Sequence, residues 1–144
     1  MHVQARTGFD ERLREQRQSA YANLLSACDA VYDALDPVMG STIRPLPPEE
    51  LAAAWRTVNQ TLKVVQRAAR TASVAGPADI AGQGLAVHAA LHSLVDVWRN
   101  RELAAAADQR AIAHATAHQA WTDAVAAYMV LVQGVVQRYD RTAG

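Results

Sequence analysis

Four of the five histidines stand in two pairs, His88 with His92 and His114 with His118. Four residues apart on a helix, two imidazoles share a face one turn from each other, the spacing with which a pair of neutral rings grips a transition-metal ion. If their segments are antiparallel helices, His92 falls within about a turn of the level of His118, and His88, His92 and His118 form a candidate metal site. Against that reading, no Glu-x-x-His or His-Glu-x-x-His pattern occurs, so di-iron carboxylate and zinc-protease chemistry lack their ligands. Surface histidines are the expected reading. Trp55, Trp98 and Trp121 are the second candidate set, as the walls of an apolar ligand pocket between helices. Indoles at core spacing are more often packing, with the N–H reaching a polar partner at the rim.

Nucleophilic chemistry has no constellation. Cys28, the single cysteine, lies in an apolar helical stretch where a thiol is inert, and Ser26 has no histidine near it in sequence. Arg99-Asn100 opens the arginine-polar motif of helical nucleases, but the next histidine, His114, comes too late. Asp29, Asp33 and Asp36 share one helix face and are expected to be solvated. No catalytic residue is assigned, and no cofactor is expected.

The elements that must position these residues are all helical. Apolar residues recur at three-then-four spacing in four stretches, predicted as helices over 8–36, 47–75, 77–104 and 108–140. Thr7 is the expected cap of the first, and Asp36-Pro37 its expected stop, because the residue before proline is pushed out of the helical region. Pro47-Pro48-Glu49-Glu50 opens the second, with proline where its missing N–H costs nothing and carboxylates at the positive end of the dipole. Its face reads Leu51, Trp55, Val58, Leu62, Val65, Ala69, Ala72. With the hairpin turn near residue 41, the basic row Arg56, Lys63, Arg67 and Arg70 lies level with acids of the first helix, pairing Arg67 with Glu15. Gly76-Pro77 separates helices two and three, Gly82 and Gly84 suggest close helix approach, and Asp108 is the expected cap of the fourth. The fold class is all-α, an up-down-up-down antiparallel four-helix bundle forming one domain over 1–144.

Two stretches, RQSAYANLLSACDAVYDAL from Arg17 and SVAGPADIAG from Ser73, together resemble a class of small uncharacterised α-helical proteins of the actinomycete type. Those pair a first helix bearing tyrosine and alanine with a turn ending in Ala-Gly-Pro. The resemblance implies an all-α fold and no activity.

The most apolar run, WTDAVAAYMVLVQGVVQRY from Trp121, is too short to span a bilayer, which takes about 20 uninterrupted apolar residues. It is expected to be the central helix. Its apolar arc is wider than two neighbours cover, and Tyr128, Val130, Leu131 and Val135 are the expected interface of a homodimer, or of contact with a helical protein partner. A formal net charge of zero argues against nucleic acid as a partner. The N-terminus lacks the apolar core of a secretory signal, so a cytoplasmic protein with no membrane contact is expected. The sequence thus reads as a non-enzymatic helical bundle acting through protein–protein association. A small apolar ligand- or metal-binding bundle is the alternative.

Overall fold

The structure, a computed structural model, describes residues 2–100 and 106–143, with side chains over 11–100 and 106–135. Among the described residues there are four helices: α1 (His2–Gly40), α2 (Pro48–Ala75), α3 (Ala78–Arg99) and α4 (Ala107–Ala143). Together they form an all-α four-helix bundle. Backbones approach closely between α1 and α2, α2 and α3, and α3 and α4, whereas α1 and α4 meet chiefly through large side chains.

α1 departs from expectation at both ends. It is already helical at His2, before the predicted cap, Thr7, and it runs through Pro37 to Gly40. Proline is tolerated because it stands in the last turns, where its missing N–H leaves only the Asp33 carbonyl without its helical donor. The chain beyond it is held by packing and by hydroxyls. Val38 is buried, the Ser41 amide donates to the Pro37 carbonyl at 3.0 Å, and the Ser41 and Thr42 hydroxyls donate to the carbonyls of Val38 and Met39 at 2.6 and 2.8 Å. Ile43, just beyond the helix end, is 85% exposed.

That extension moves the hairpin register. Arg17 Nε donates to the Ala75 carbonyl at 2.6 Å, so the α1–α2 pair turns several residues later than residue 41. Arg67 then lies beside Ala27 and Ala30, and Arg70 beside Asn23. No described ion pair joins Arg56, Arg67 or Arg70 to an acid of α1; the predicted ladder fails because its register was about three turns out.

α2 buries Val58, Leu62, Val65, Ala69 and Ala72, the stripe its spacing predicts, with Leu51 and Trp55 partly buried at its start. Gly76 ends it in an extended conformation open to any residue, φ −121° and ψ 176°. The glycine is needed for space: a Cβ there would overlap the Tyr21 hydroxyl. α3 buries Ile80, Gly84, Val87, Leu91, Leu94 and Val95. A Cβ on Gly84 would sit 3.4 Å from Leu24 and 3.5 Å from Tyr128, so three helices converge there, whereas Gly82 faces open space. α3 ends at Arg99, short of residue 104, where Asn100 turns extended while its amide still donates to Asp96 at 3.0 Å. Part of the alanine run, 104 and 105, lies outside the described residues. α4 starts at Ala107, with Asp108 inside its first turn.

α4 is not the central helix. The core is built on α1, through residues such as Tyr21, Leu24, Cys28, Val31 and Leu35, and on the stripes of α2 and α3. Over 107–135, α4 buries only Trp121, Tyr128 and Val135, spaced seven residues apart. The adjacent row Thr122, Val125, Met129 lies on the flank, with Met129 44% exposed. Apolar content misleads here because much of it is alanine and valine, which cover little area, and the widest rings decide which side turns inward.

Candidate functional site

The chemistry-bearing side chains gather on one flank, where the second half of α1 faces the first half of α4 and the end of α3. Trp98 Nε1 donates to His114 Nδ1 at 3.1 Å, which makes His114 the acceptor and leaves its proton on Nε2. His114 stacks on His118 at 5.8 Å, and His118 meets Tyr32 of α1 at 5.6 Å and Trp121 at 5.9 Å. Tyr32 in turn stacks on Trp121, with ring centres 5.5 Å apart and planes 20° from parallel. Arg110 lies over the Trp98 ring at 5.2 Å. A continuous row of rings therefore joins α3, α4 and α1.

Burial and then the neighbouring His118 hold His114 below the usual histidine range, and burial and then His92 do the same to His88. His92 Nδ1 lies 3.1 Å from an Asp96 carboxylate oxygen one turn on, and its ring meets that of His88 edge-on at 6.2 Å. The Trp98–His114 bond does place His92 within about a turn of the level of His118. His118, however, is turned toward α1. Among the described residues no group of three or more His, Cys, Asp or Glu side chains is placed to hold a metal ion, so His88, His92 and His118 do not form the shared site that their spacing allowed.

The three tryptophans do not line one cavity. Trp55 on α2 lies under the Arg99 guanidinium at 5.3 Å, an arginine that also donates to Asn59 Oδ1. Trp98 belongs to the ring row. Trp121 walls a cleft, of about 380 Å³, between α1 and α4. Leu25 and Cys28 form its α1 side, Trp121, Val125 and Met129 its α4 side, and Asp29 and Thr122 complete its lining. Burial, and then Asp29, push the Cys28 thiol up to about 12, so it is a neutral apolar wall and not a nucleophile. Beside the cleft Tyr21 and Tyr128 meet edge-on at 6.1 Å, and burial holds the Tyr128 hydroxyl above the usual phenol range. The Trp121 indole N–H and the Tyr128 hydroxyl are shielded from solvent with no hydrogen-bond partner among the described residues.

Leu25, Tyr32 and Val125 were not singled out from sequence as site residues. Tyr32 carried a signal, since it shares the α1 face of Cys28 and Leu25; its partners on α4 required the three-dimensional register.

Of the four residues expected at an interface, Tyr128 and Val135 are buried within the bundle and Leu131 packs against its core. They are spent on folding. Val130 is 67% exposed. No described helix is long and apolar enough to cross a membrane. The chain matches no family model, no curated protein and no solved structure.

Proposed function

We propose that this protein acts by protein–protein association, with a second copy of the chain as partner, through the outward side of α4. The observation that carries this reading is the chemistry of that side. From Ala111 to Val135 the helix has one charged residue, Asp123, whereas a solvated helix face normally alternates charges. Ile112 is 69% exposed and Val130 67% exposed, with Ala120, Ala126 and Ala127 exposed between them. A symmetric pairing of α4 with its counterpart covers such a surface, and alanines let the two backbones approach closely. The reading names no enzymatic step and no cofactor.

The test is light scattering of the purified chain beside Val130→Asp. The native carboxylate on this side, Asp123, accepts from Gln119 Nε2 at 2.8 Å, whereas Val130→Asp adds one with no partner at a cost of several kcal/mol, so a wild-type dimer and a folded, monomeric variant are expected. Wild type and Val130→Asp both monomeric at the highest soluble concentration would refute the reading.

A further inference from the structure

We propose that the groove on the outer side of the α1–α2 pair docks an acidic amphipathic helix of another protein, which lays its apolar stripe on the groove floor and its carboxylates against a rim of arginines. No described residue of α4 lines this groove, so the site does not depend on self-association through that helix.

Three observations carry it. First, two adjoining hollows, of about 1040 and 510 Å³, share Ala20, Asn23 and Thr71 and so form one groove. Its α1 wall runs from Arg12 to Ala30, about 27 Å of helix, and its α2 wall from Val64 to Ala75, about 16 Å, so about three to five turns of a partner helix match its length. Second, the floor is apolar. Ala20 and Ala27 are buried, Leu13 and Ala68 are partly buried, and Val64 and Val74 stand 48% and 89% exposed beside them. Small side chains on the floor leave room for larger ones from a partner, the arrangement that reads a helix by apolar anchors at three-four spacing. Third, the charge is one-sided. The chain balances 14 basic residues against 14 acidic ones, yet Arg12, Arg17, Arg67 and Arg70 line the groove with a single carboxylate, Glu15. Arg17 Nε holds the Ala75 carbonyl, whereas Arg12, Arg67 and Arg70 are exposed with no ion pair among the described residues.

That pattern names the occupant. Arg67 and Arg70 stand one turn apart on α2, so carboxylates one turn apart on a docked helix meet both, while its apolar stripe covers the two valines. Nucleic acid would engage the arginines through phosphates and leave the apolar floor uncovered, and a lipid surface is too flat to reach a floor recessed between two helices. The outward side of α4 from a second copy brings one carboxylate, Asp123, and lacks the charge.

The experiment measures fluorescence anisotropy of labelled probes titrated with the full chain. The probe is a helical peptide of about 18 residues, about 27 Å long, with leucines at three-four spacing and glutamates on both flanks of that stripe. Controls are the same peptide with glutamine for every glutamate, a scrambled acidic peptide, a single-stranded oligonucleotide and phosphatidylglycerol vesicles. The acidic peptide is expected to bind saturably, one per chain, about tenfold more tightly than the glutamine peptide at low salt, with the gap closing as added salt screens the exposed charges. The scrambled peptide should not bind. Arg67→Glu combined with Arg70→Glu should weaken the acidic peptide by about tenfold or more and spare the glutamine peptide, a split that a merely structural change would not give. Val74→Gln, at an exposed site where folding is not at stake, should weaken both peptides, and Glu15→Gln should tighten the acidic one alone. The same titrations on Val130→Asp should be unchanged, which separates failure of this site from failure of the association reading. The proposal is overturned by non-saturable binding, by equal affinity for the acidic and glutamine peptides, by wild-type affinity in the double arginine variant, or by tighter binding of the oligonucleotide or the vesicles. A wild-type dimer that becomes monomeric in the double arginine variant would likewise overturn it, by assigning the groove to a second copy.

Discussion

Tyr128→Phe is expected to make the protein more stable, although it removes a polar group from the best-packed point of α4. Tyr128 is fully buried, its ring set edge-on to Tyr21 and close to Gly84, and its hydroxyl has no partner among the described residues. In the unfolded chain that hydroxyl is hydrated, so folding carries a penalty of about 1–3 kcal/mol for burying it unpaired. Phenylalanine keeps the ring and its contacts. The oxygen removed leaves a void of about 10 Å³, which costs back roughly 0.2 kcal/mol. The net gain is about 1–2 kcal/mol, equivalent to a rise in Tm of about 3–8 °C for a chain of this length. Urea denaturation is the cleaner assay. With a slope of about 1.5–2 kcal/mol/M, the midpoint should rise by about 0.5–1 M without change in slope. A fall in the midpoint at unchanged slope would refute the reasoning, by showing that the hydroxyl is satisfied in solution.

Two further predictions follow from the glycines and the histidines. Gly82→Ala meets open space and should stabilise by about 0.5–1 kcal/mol through helix propensity, whereas Gly76→Ala meets the Tyr21 hydroxyl and should cost about 1–3 kcal/mol; paired urea curves decide both. His88 and His114 are held below the ordinary histidine value of 6.5 by burial and by a neighbouring imidazole, so the unfolded chain takes up protons that the folded chain resists. Their contribution is therefore complete above that value and is lost as pH falls through it toward the lower folded pKa values. The urea midpoint should drop across that window, and the fluorescence of Trp98, read with Trp55 and Trp121 replaced by Phe, should change as His114 ceases to accept its N–H. A Trp98 transition centred at or above about 6.5 would contradict the placement of His114.

The sequence made the helices legible because each carries a three-four apolar rhythm, and on α2 the predicted face and the buried face coincide from Val58 to Ala72. Where it misled, a specific competition was decided by packing. At Pro37 the burial of Val38 outweighs the loss of one hydrogen bond, and that single extension shifts every cross-helix pairing of α1 with α2. On α4 two adjacent rows were apolar, and nothing in periodicity told which would be inward; Trp121 and Tyr128, as the largest groups, settled it. The cleft illustrates the same limit. Cys28, Val125 and Trp121 are far apart in sequence or differ in kind, and only the separation of two helices by stacked rings makes them neighbours.

The seven-residue interval between Trp121, Tyr128 and Val135 has a consequence for how α4 can change. A straight helix drifts about 20° per heptad, so keeping these three residues on one seam winds α4 around its neighbours in a left-handed sense. A single residue inserted between Trp121 and Tyr128 would rotate everything beyond it by about 100°, turning Tyr128 out of the core and bringing the outward stripe into register with different neighbours. An insertion of seven would restore both. The length of α4 is thus quantised: it can drift freely at its far end, but within the seam it can grow or shrink only by whole heptads.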